Sequence, residues 1–332
     1  MALLNSPACC DTKCWRLLAR GDTALVTGGA GFIGSHLVDA LIRRGLRVRV
    51  LDDLSTGKRE NLRQASETKR LSIVADGVTD SRRVRRITRG ADLVFHLAAK
   101  VDVQESMREP VKVNHVNVEG TLTVLEACRK ADVKKFVFAS SSAVYLDTGP
   151  TPIDENALLG PISPYGASKL AGEEYVNQFH RTYGMDTACL RFFNVYGPRQ
   201  AMNAYSGVIT IFLNRLLTGK KPIIYGDGKQ TRDFVHVSDI ARASLLVAQK
   251  KCPGGVFNVG TGKGTSIADL AILLCQATGH NRATLFSKAR EGDIQHNRAN
   301  IQRIQQTVGF KPAITLAAGL RDLVCHYQSQ YK

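Results

Sequence analysis

The chain has 332 residues, 44% of them hydrophobic and 22% charged, with a formal net charge of +16. At roughly 150 residues per domain this suggests about two lobes, and the composition excludes disorder over most of the length. No run of about 18 consecutive apolar residues occurs, so a membrane-spanning helix is not expected.

The first residues, Met1-Ala-Leu-Leu-Asn, lack the basic start and apolar run of a secretory signal, and residues 1–20 read as a flexible extension. The eight cysteines are irregularly spaced after Cys14, as buried reduced thiols in a cytosolic protein would be. Cys9, Cys10 and Cys14 are clustered, but no second ligand pair follows, so no metal site is expected.

Thr23–Thr27 is a short apolar run ending in glycines, the pattern of a buried parallel strand. Ser35–Arg44 follows with helical periodicity, then the strand Val48–Leu51. Leu71–Ala75, Leu93–Leu97 and Phe136–Ala139 read as further strands, with helices between them, notably Asn114–Lys130. This βαβ rhythm predicts an α/β fold, a Rossmann-type doubly wound parallel sheet. Beyond about residue 190 short strands and glycine turns become frequent, as at Ile223–Tyr225 and Val256–Val259. They predict a smaller C-terminal α/β lobe on the sheet's carboxyl edge. The expected division is thus residues 21–190 for the dinucleotide domain and 191–332 for the second lobe, with some segments returning to the first. The basic run Arg82-Arg83-Val84-Arg85-Arg86 falls on an expected helix and reads as a solvated face. Neither a nucleic-acid nor a membrane partner is expected.

The loop after the first strand reads Thr27-Gly28-Gly29-Ala30-Gly31-Phe32-Ile33-Gly34. Glycines at 28, 31 and 34 permit a tight turn and let backbone amides approach a pyrophosphate facing the next helix's N-terminus. Standing between strand and helix, the motif points to a dinucleotide. Asp52 ends the second strand and can accept from a ribose 2′-hydroxyl, which favours NAD over NADP. Asp53 and Ser55 adjoin it. Asp76-Gly77 follows the third strand, within reach of an adenine. Leu97, Ala98 and Ala99 close the fourth, where a backbone must approach the cofactor. Asn117 either braces the strand ends or is an ordinary helix residue.

Tyr165 and Lys169 stand at i and i+4, which share one helix face. The ammonium would lower the phenol's pKa and make it a general base near neutral pH. The serine run 140–142 at a strand end can hydrogen-bond a reacting hydroxyl and relay its proton.

With these residues in view the chain resembles the extended short-chain dehydrogenase/reductase family, in its UDP-galactose 4-epimerase-like, nucleotide-sugar 4-epimerase branch. The resemblance runs from about Thr23 to the C-terminus. It is carried by TGGAGFIGSH, HLAA, SSSAVY, SPYGASKLAGE, RFFNVYGPRQ, YGDGKQTRDFVHV, FNVGTG and REGDIQH. It implies Ser141, Tyr165 and Lys169 as catalytic residues, with Ser142 an alternative serine that also faces substrate. It implies a uridine-diphosphate-sugar site at Asn194, Val208, Tyr225, Arg232, Arg290 and Asp293, where the arginines offer planar donor forks to the diphosphate. Asn297 stands at the position that gates an N-acetyl group. The reaction implied is transient oxidation at C4 and return of the hydride to the opposite face, with NAD regenerated. A homodimer is also implied, through the helices Asn114–Lys130 and Tyr165–Tyr183.

Two departures stand out. Leu146 follows Tyr145 where the family usually has glycine, and Lys100 replaces an uncharged residue after HLAA, where it either contacts a sugar carboxylate or faces solvent. Related dehydratases resemble a Thr-Asp-Glu-Val-Tyr pattern and decarboxylases a Thr-Ser-Glu-Val-Tyr pattern. Here Ser141-Ser142-Ala143-Val144-Tyr145 carries no acid, which favours epimerisation over dehydration, decarboxylation or simple reduction. Glucose, N-acetylglucosamine and glucuronate remain open as the sugar. A catalytically silent NAD-sensing or RNA-binding protein on this fold would be expected to break the Tyr165/Lys169 pair, which is intact.

Overall fold

A computed structural model describes residues 18–147, 149–201, 207–280, 284–289 and 294–328. Most of the N-terminal extension, with Cys9, Cys10 and Cys14, lies outside these described residues. The strands are, in chain order, β1 (Thr23–Thr27), β2 (Arg47–Asp52), β3 (Leu71–Ala75), β4 (Leu93–His96), β5 (Lys135–Ser141) and β6 (Thr187–Phe192). Short strands follow: β7 (Asn194–Tyr196), β8 (Ile223–Tyr225), β9 (Thr231–Arg232) and β10 (Phe234–His236). β11 (Gly255–Val259), β12 (Thr265–Ser266), β13 (Leu285–Ser287) and β14 (His296–Asn297) complete the set.

Seven of them make one parallel sheet in the order β11-β6-β5-β4-β1-β2-β3. β1, β4 and β6 are buried along their whole length, and their sequences are accordingly largely apolar without an alternating polar face, the polar side chains within them being buried too. The order reverses between β1 and β4, and ligands of open α/β sheets bind at such a switch point, beyond the carboxyl ends of the strands. Grouped by composition with the second lobe, Val256–Val259 instead joins this sheet, pairing with β6 from Gly255↔Ala188 to Val259↔Phe192. Its apolar run fits a sheet edge covered by helices as well as a separate lobe, so sequence pattern alone does not separate the two.

The helix expected at Asn114–Lys130 starts earlier, at Pro110, and passes through a π-helical turn, His115–Glu119, before Gly120–Lys130. Two hydrophobic clusters cover the sheet's faces, one around Leu37, Leu41 and Phe95, the other around Val124, Phe136 and Phe138. A third, around Tyr196, Phe212, Leu270 and Leu323, forms the interior of the C-terminal region. There the small sheets β7/β10, β12-β9-β14 and β8/β13 bring distant segments together. No described helix is long and apolar enough to cross a membrane.

At the switch point a chain of buried hydrogen bonds ties β1 to β4. Thr27 Oγ1 lies 2.7 Å from His96 Nδ1, and His96 Nε2 lies 3.0 Å from Thr121 Oγ1. Thr121 donates to the Asn117 carbonyl at 2.6 Å, while Thr27 Oγ1 accepts the Leu97 and Ala98 amides at 3.2 Å each. These partners assign a neutral ring that accepts at Nδ1 and donates at Nε2. Burial, with Lys169 adding to it, pulls the His96 pKa down to about 3. Unfolded histidine binds a proton near pH 6.5, so stability is full above that pH and declines as pH falls toward 3. His36, pulled down to about 4 by burial, acts in the same direction. Unfolding free energy measured by denaturant titration is therefore expected to fall below pH 6.5, by up to about 1.4 kcal/mol per pH unit for each histidine. His96→Asn should flatten that slope.

Candidate active site

The loop Gly28–Gly31 enters the first helix, Phe32–Arg43, whose N-terminus has no side-chain cap and no acidic residue in its first turn. Its leading amides face a cleft of about 1320 Å³. Gly28 has φ +68°, and a Cβ there would lie 2.7 Å from the Ala98 amide nitrogen. A Cβ on Gly34 would lie 2.1 Å from the Gly28 carbonyl oxygen. Only glycine allows the two strand ends and the helix to approach this closely, leaving a backbone-lined concavity that suits an anion.

Gly28, Gly31, Phe32, Ile33 and Gly34 line this cleft, as do Asp52, Asp53 and Ser55 past β2 and Asp76 and Gly77 past β3. Leu97, Ala98, Ala99 and Lys100 past β4 form its floor together with Tyr165 and Lys169. The Asp52 carboxylate is buried and accepts from the Ala30 and Leu54 amides at 2.9 Å each. Burial raises its pKa, and these amide bonds oppose the rise. It thus holds the glycine loop against the end of β2, with lone pairs left for a hydroxyl. Asp76 is engaged by Arg83 at 3.0 Å.

Asn117 does not line the cleft. Its side chain accepts the Lys100 amide at 2.7 Å and donates to the Lys100 carbonyl and the Ser168 hydroxyl at 2.9 Å each. Of the two roles open to it, it takes the brace: it pins the segment after β4 to the helix Pro164–Tyr183. The Lys100 side chain donates to Ser55 Oγ at 3.2 Å, on the side of the cleft formed by the turn after β2.

Pro164–Tyr183 begins with Ser163 capping the Gly166 amide and with proline in its first turn. It presents Tyr165 and Lys169 to the carboxyl end of β5. Ser141, the last residue of β5, lies beside Tyr165, and its hydroxyl accepts the Ala143 amide at 3.1 Å. Lys169 Nζ donates to the Ala139 carbonyl at 2.8 Å. Burial pushes the Lys169 pKa down to about 8, opposed by Glu173. Burial also raises the Tyr165 pKa, and Ser141 acts against it. The expected lowering of Tyr165 by Lys169 is therefore not what governs the phenol here, because the ammonium is turned onto the strand carbonyl.

Of the expected sugar-nucleotide residues that are described, Asn194, Val208, Tyr225, Arg232 and Asn297 do not line this cleft. All but Val208 sit on the neighbouring small sheets. Asn194 opens β7, its backbone amide donating to the Asp233 carbonyl at 3.0 Å. Arg232 of β9 pairs with Asn297 of β14, and Asn297 Nδ2 donates to Ser142 Oγ at 3.3 Å, joining these strands to the end of β5. Asn297 Oδ1 is buried with no partner among the described residues. Tyr225 ends β8 and Val208 opens the helix Val208–Leu217. Arg290 and Asp293 lie outside the described residues. Leu146 packs over Gly160, where a Cβ would lie 3.1 Å from the leucine Cβ, and its amide bonds the Leu158 carbonyl at 3.1 Å. The turn after Tyr145 thus takes the larger residue because its neighbour is glycine.

Several residues beyond the sequence motifs' obvious chemistry shape this region. Asp233, fully buried, accepts from Thr261, Gly262 and Ala299 amides at 2.8, 2.8 and 3.2 Å. Asn61 braces the glycine loop through the Ala30 carbonyl at 2.8 Å, and Arg199, at φ +68°, bonds Asp39 of the first helix at 2.8 Å. Asp233 lies inside a quoted motif, but nothing local distinguishes a loop staple from a solvated turn residue.

Comparison with known proteins decides the family. The NAD dependent epimerase/dehydratase family model matches residues 24–260. The chain belongs to that family. It is similar to a putative UDP-glucose 4-epimerase of Methanocaldococcus jannaschii, 41% identical over 90% of this chain and 96% of the relative. Among solved structures it is similar to a UDP-N-acetylglucosamine 4-epimerase from Methanobrevibacter ruminantium in complex with UDP-N-acetylmuramic acid (39% identity, TM-score 0.90, 94% of this chain and all of that one). It is also similar to a Thermotoga maritima UDP-glucose 4-epimerase with UDP-glucose (39% identity, TM-score 0.88, 93% and 100% covered). NAD is the cofactor of this family member, and the glycine cradle and uncapped helix fit it.

Gly34→Ala forces the helix off the glycine loop and is expected to cost about 1–3 kcal/mol of stability. NAD affinity should weaken with it, read by thermal unfolding with and without NAD.

Proposed function

We propose that the protein is an NAD-dependent UDP-sugar 4-epimerase in which Ser141, Tyr165 and Lys169 carry the proton transfer. The observation that carries this reading is their convergence at the end of β5, beside the glycine cleft and next to the strands bearing Arg232 and Asn297. NAD supplies the two-electron chemistry at C4 of the sugar. Tyr165, in its phenolate form, takes the proton of the 4-hydroxyl and later returns it. Ser141 orients that hydroxyl, and Lys169 holds positive charge beside the site. Gly28, Gly31 and the amides of Phe32 and Ile33 would hold the cofactor's pyrophosphate, and Asp52 its ribose. Arg232 and Asn194, with Arg290 and Asp293, would hold the uridine diphosphate.

Positions 142 and 143 are Ser and Ala, so the strand end offers no acid for elimination. The buried carboxylates in the adjoining network are engaged, Glu173 by Arg191 and Glu155 by Arg303 and the Asn258 amide. Asn297, with an unpartnered buried oxygen, would face the sugar and tune its choice. The exposed apolar side chains of Val111 and Tyr183 support a homodimer through the helices 110–130 and 164–183.

Incubation with UDP-glucose, UDP-N-acetylglucosamine and UDP-glucuronate, followed by NMR of the products, is expected to give a 4-epimer from at least one. A 4,6-dehydrated sugar or a pentose would sink the reading. Tyr165→Phe should lower kcat by about 10²–10⁴-fold while NAD stays bound; full turnover by that variant would remove Tyr165 from the mechanism. Light scattering is expected to give twice the chain mass.

A further inference from the structure

We propose that Glu173 is a positioning residue for the Tyr165–Lys169 pair: its buried carboxylate fixes the register of the helix on β5 and supplies the negative charge beside Lys169. The inference rests on the reading of Tyr165 and Lys169 as the proton-transfer pair.

Tyr165, Lys169 and Glu173 stand at i, i+4 and i+8, one stripe of the helix Pro164–Tyr183. Three successive residues of β5 meet them. The Ser141 hydroxyl meets Tyr165, the Ala139 carbonyl meets Lys169 at 2.8 Å, and the Ser140 hydroxyl donates to Glu173. A slide of the helix along the strand would therefore break all three contacts together. Glu173 anchors the far end of the stripe. Arg191, which lies opposite Ser140 on β6, reaches its two oxygens from Nε at 2.9 Å and from the terminal nitrogen at 2.6 Å. Glu173 and Arg191 are 1% and 4% exposed. The other side of the guanidinium donates to the Tyr145 hydroxyl at 2.8 Å, and that hydroxyl donates to Asn258 at 2.7 Å. Tyr145 closes the turn that starts at Ser141, so one guanidinium holds both the helix stripe and the strand-end serine.

A buried ion pair is not by itself stabilising, since apolar residues of like volume often serve as well. Its use here is electrostatic. The groups facing Lys169 are Tyr165 and Glu173 on its own helix, the Ala139 carbonyl and the Phe138 ring of β5, the neutral His96 of β4 and Arg191 of β6. Of these only Glu173 is an anion in its resting form. Without it, Lys169 and Arg191 remain buried without their carboxylate, and Lys169 loses its proton more readily.

The test compares wild type, Glu173→Gln, Glu173→Asp and Ser140→Ala on a UDP-sugar the enzyme turns over, with kcat and KM followed against pH. Glu173→Gln is expected to lower kcat by about tenfold, with KM little changed, and to move the alkaline limb of the kcat profile to lower pH by roughly one unit. Glu173→Asp should return the limb toward wild type. Ser140→Ala, which leaves the charge in place, should lower kcat without moving the limb. An unmoved limb in Glu173→Gln overturns the electrostatic role, and unchanged kcat in Ser140→Ala overturns the register role. Should Glu173→Gln not fold, Glu173→Asp decides the first point, because a limb displaced as far as one full unit with the carboxylate retained contradicts it. Tyr165→Phe separates the two ideas: if it keeps full turnover the proton-transfer reading fails, whereas its loss beside an unmoved Glu173→Gln profile fails the inference alone.

Discussion

One hydroxyl sits at the centre of the cleft's construction. Thr27 Oγ1 accepts two amides from the segment after β4 and bonds the imidazole of β4 itself. It thereby sets the spacing of the two strands between which the sheet order reverses. The glycine loop leaves from the next residue, so its distance from Ala98 is inherited from this hydrogen bond. The cradle needs glycine at 28 and 34 because the strands are held so near that no Cβ fits. The cofactor groove is in this sense a packing result of the core rather than a feature added to it.

The reactive edge is built on a second buried polar system, and the two differ in kind. Around His96 the members are neutral and each donor finds an acceptor. Around Glu173 they are charged, and Arg191, Tyr145, Asn258 and Glu155 carry the network from the central helix to β11 and to the segment before that helix. Lys169 lies between the two systems, against the Phe138 ring that stacks on His96. Its environment is therefore set by residues on β4, β5 and β6 together.

The alternation of strands and helices was legible to residue 190 because buried parallel strands and amphipathic helices leave different periodicities. The glycine turn and the Tyr165/Lys169 spacing were legible because their chemistry is local. β11 was not, since a short apolar strand looks the same at the edge of a large sheet as in a small lobe. The π-helical turn at His115–Glu119 left no sequence signal, and neither did the roles of Asp233 and Glu173. Those depend on partners from segments far along the chain, Asp233 on Ala299 and Glu173 on Arg191 and Ser140. The lysine's effect on Tyr165 was not legible for a related reason: helical spacing brings the pair to one face but does not say where the ammonium points.

The contacts that complete the sugar-facing side span long stretches of chain. Ser142 meets Asn297 and Asp147 meets Gln295, separations of 155 and 148 residues. The glycine loop, by contrast, is fastened to Asp52 across only 22. Closing long loops is entropically costly and comes late in folding. During synthesis the dinucleotide cradle can close while much of the chain is still to be made, whereas the sugar-facing wall must wait for Gln295 and Asn297 near the far end of the sequence.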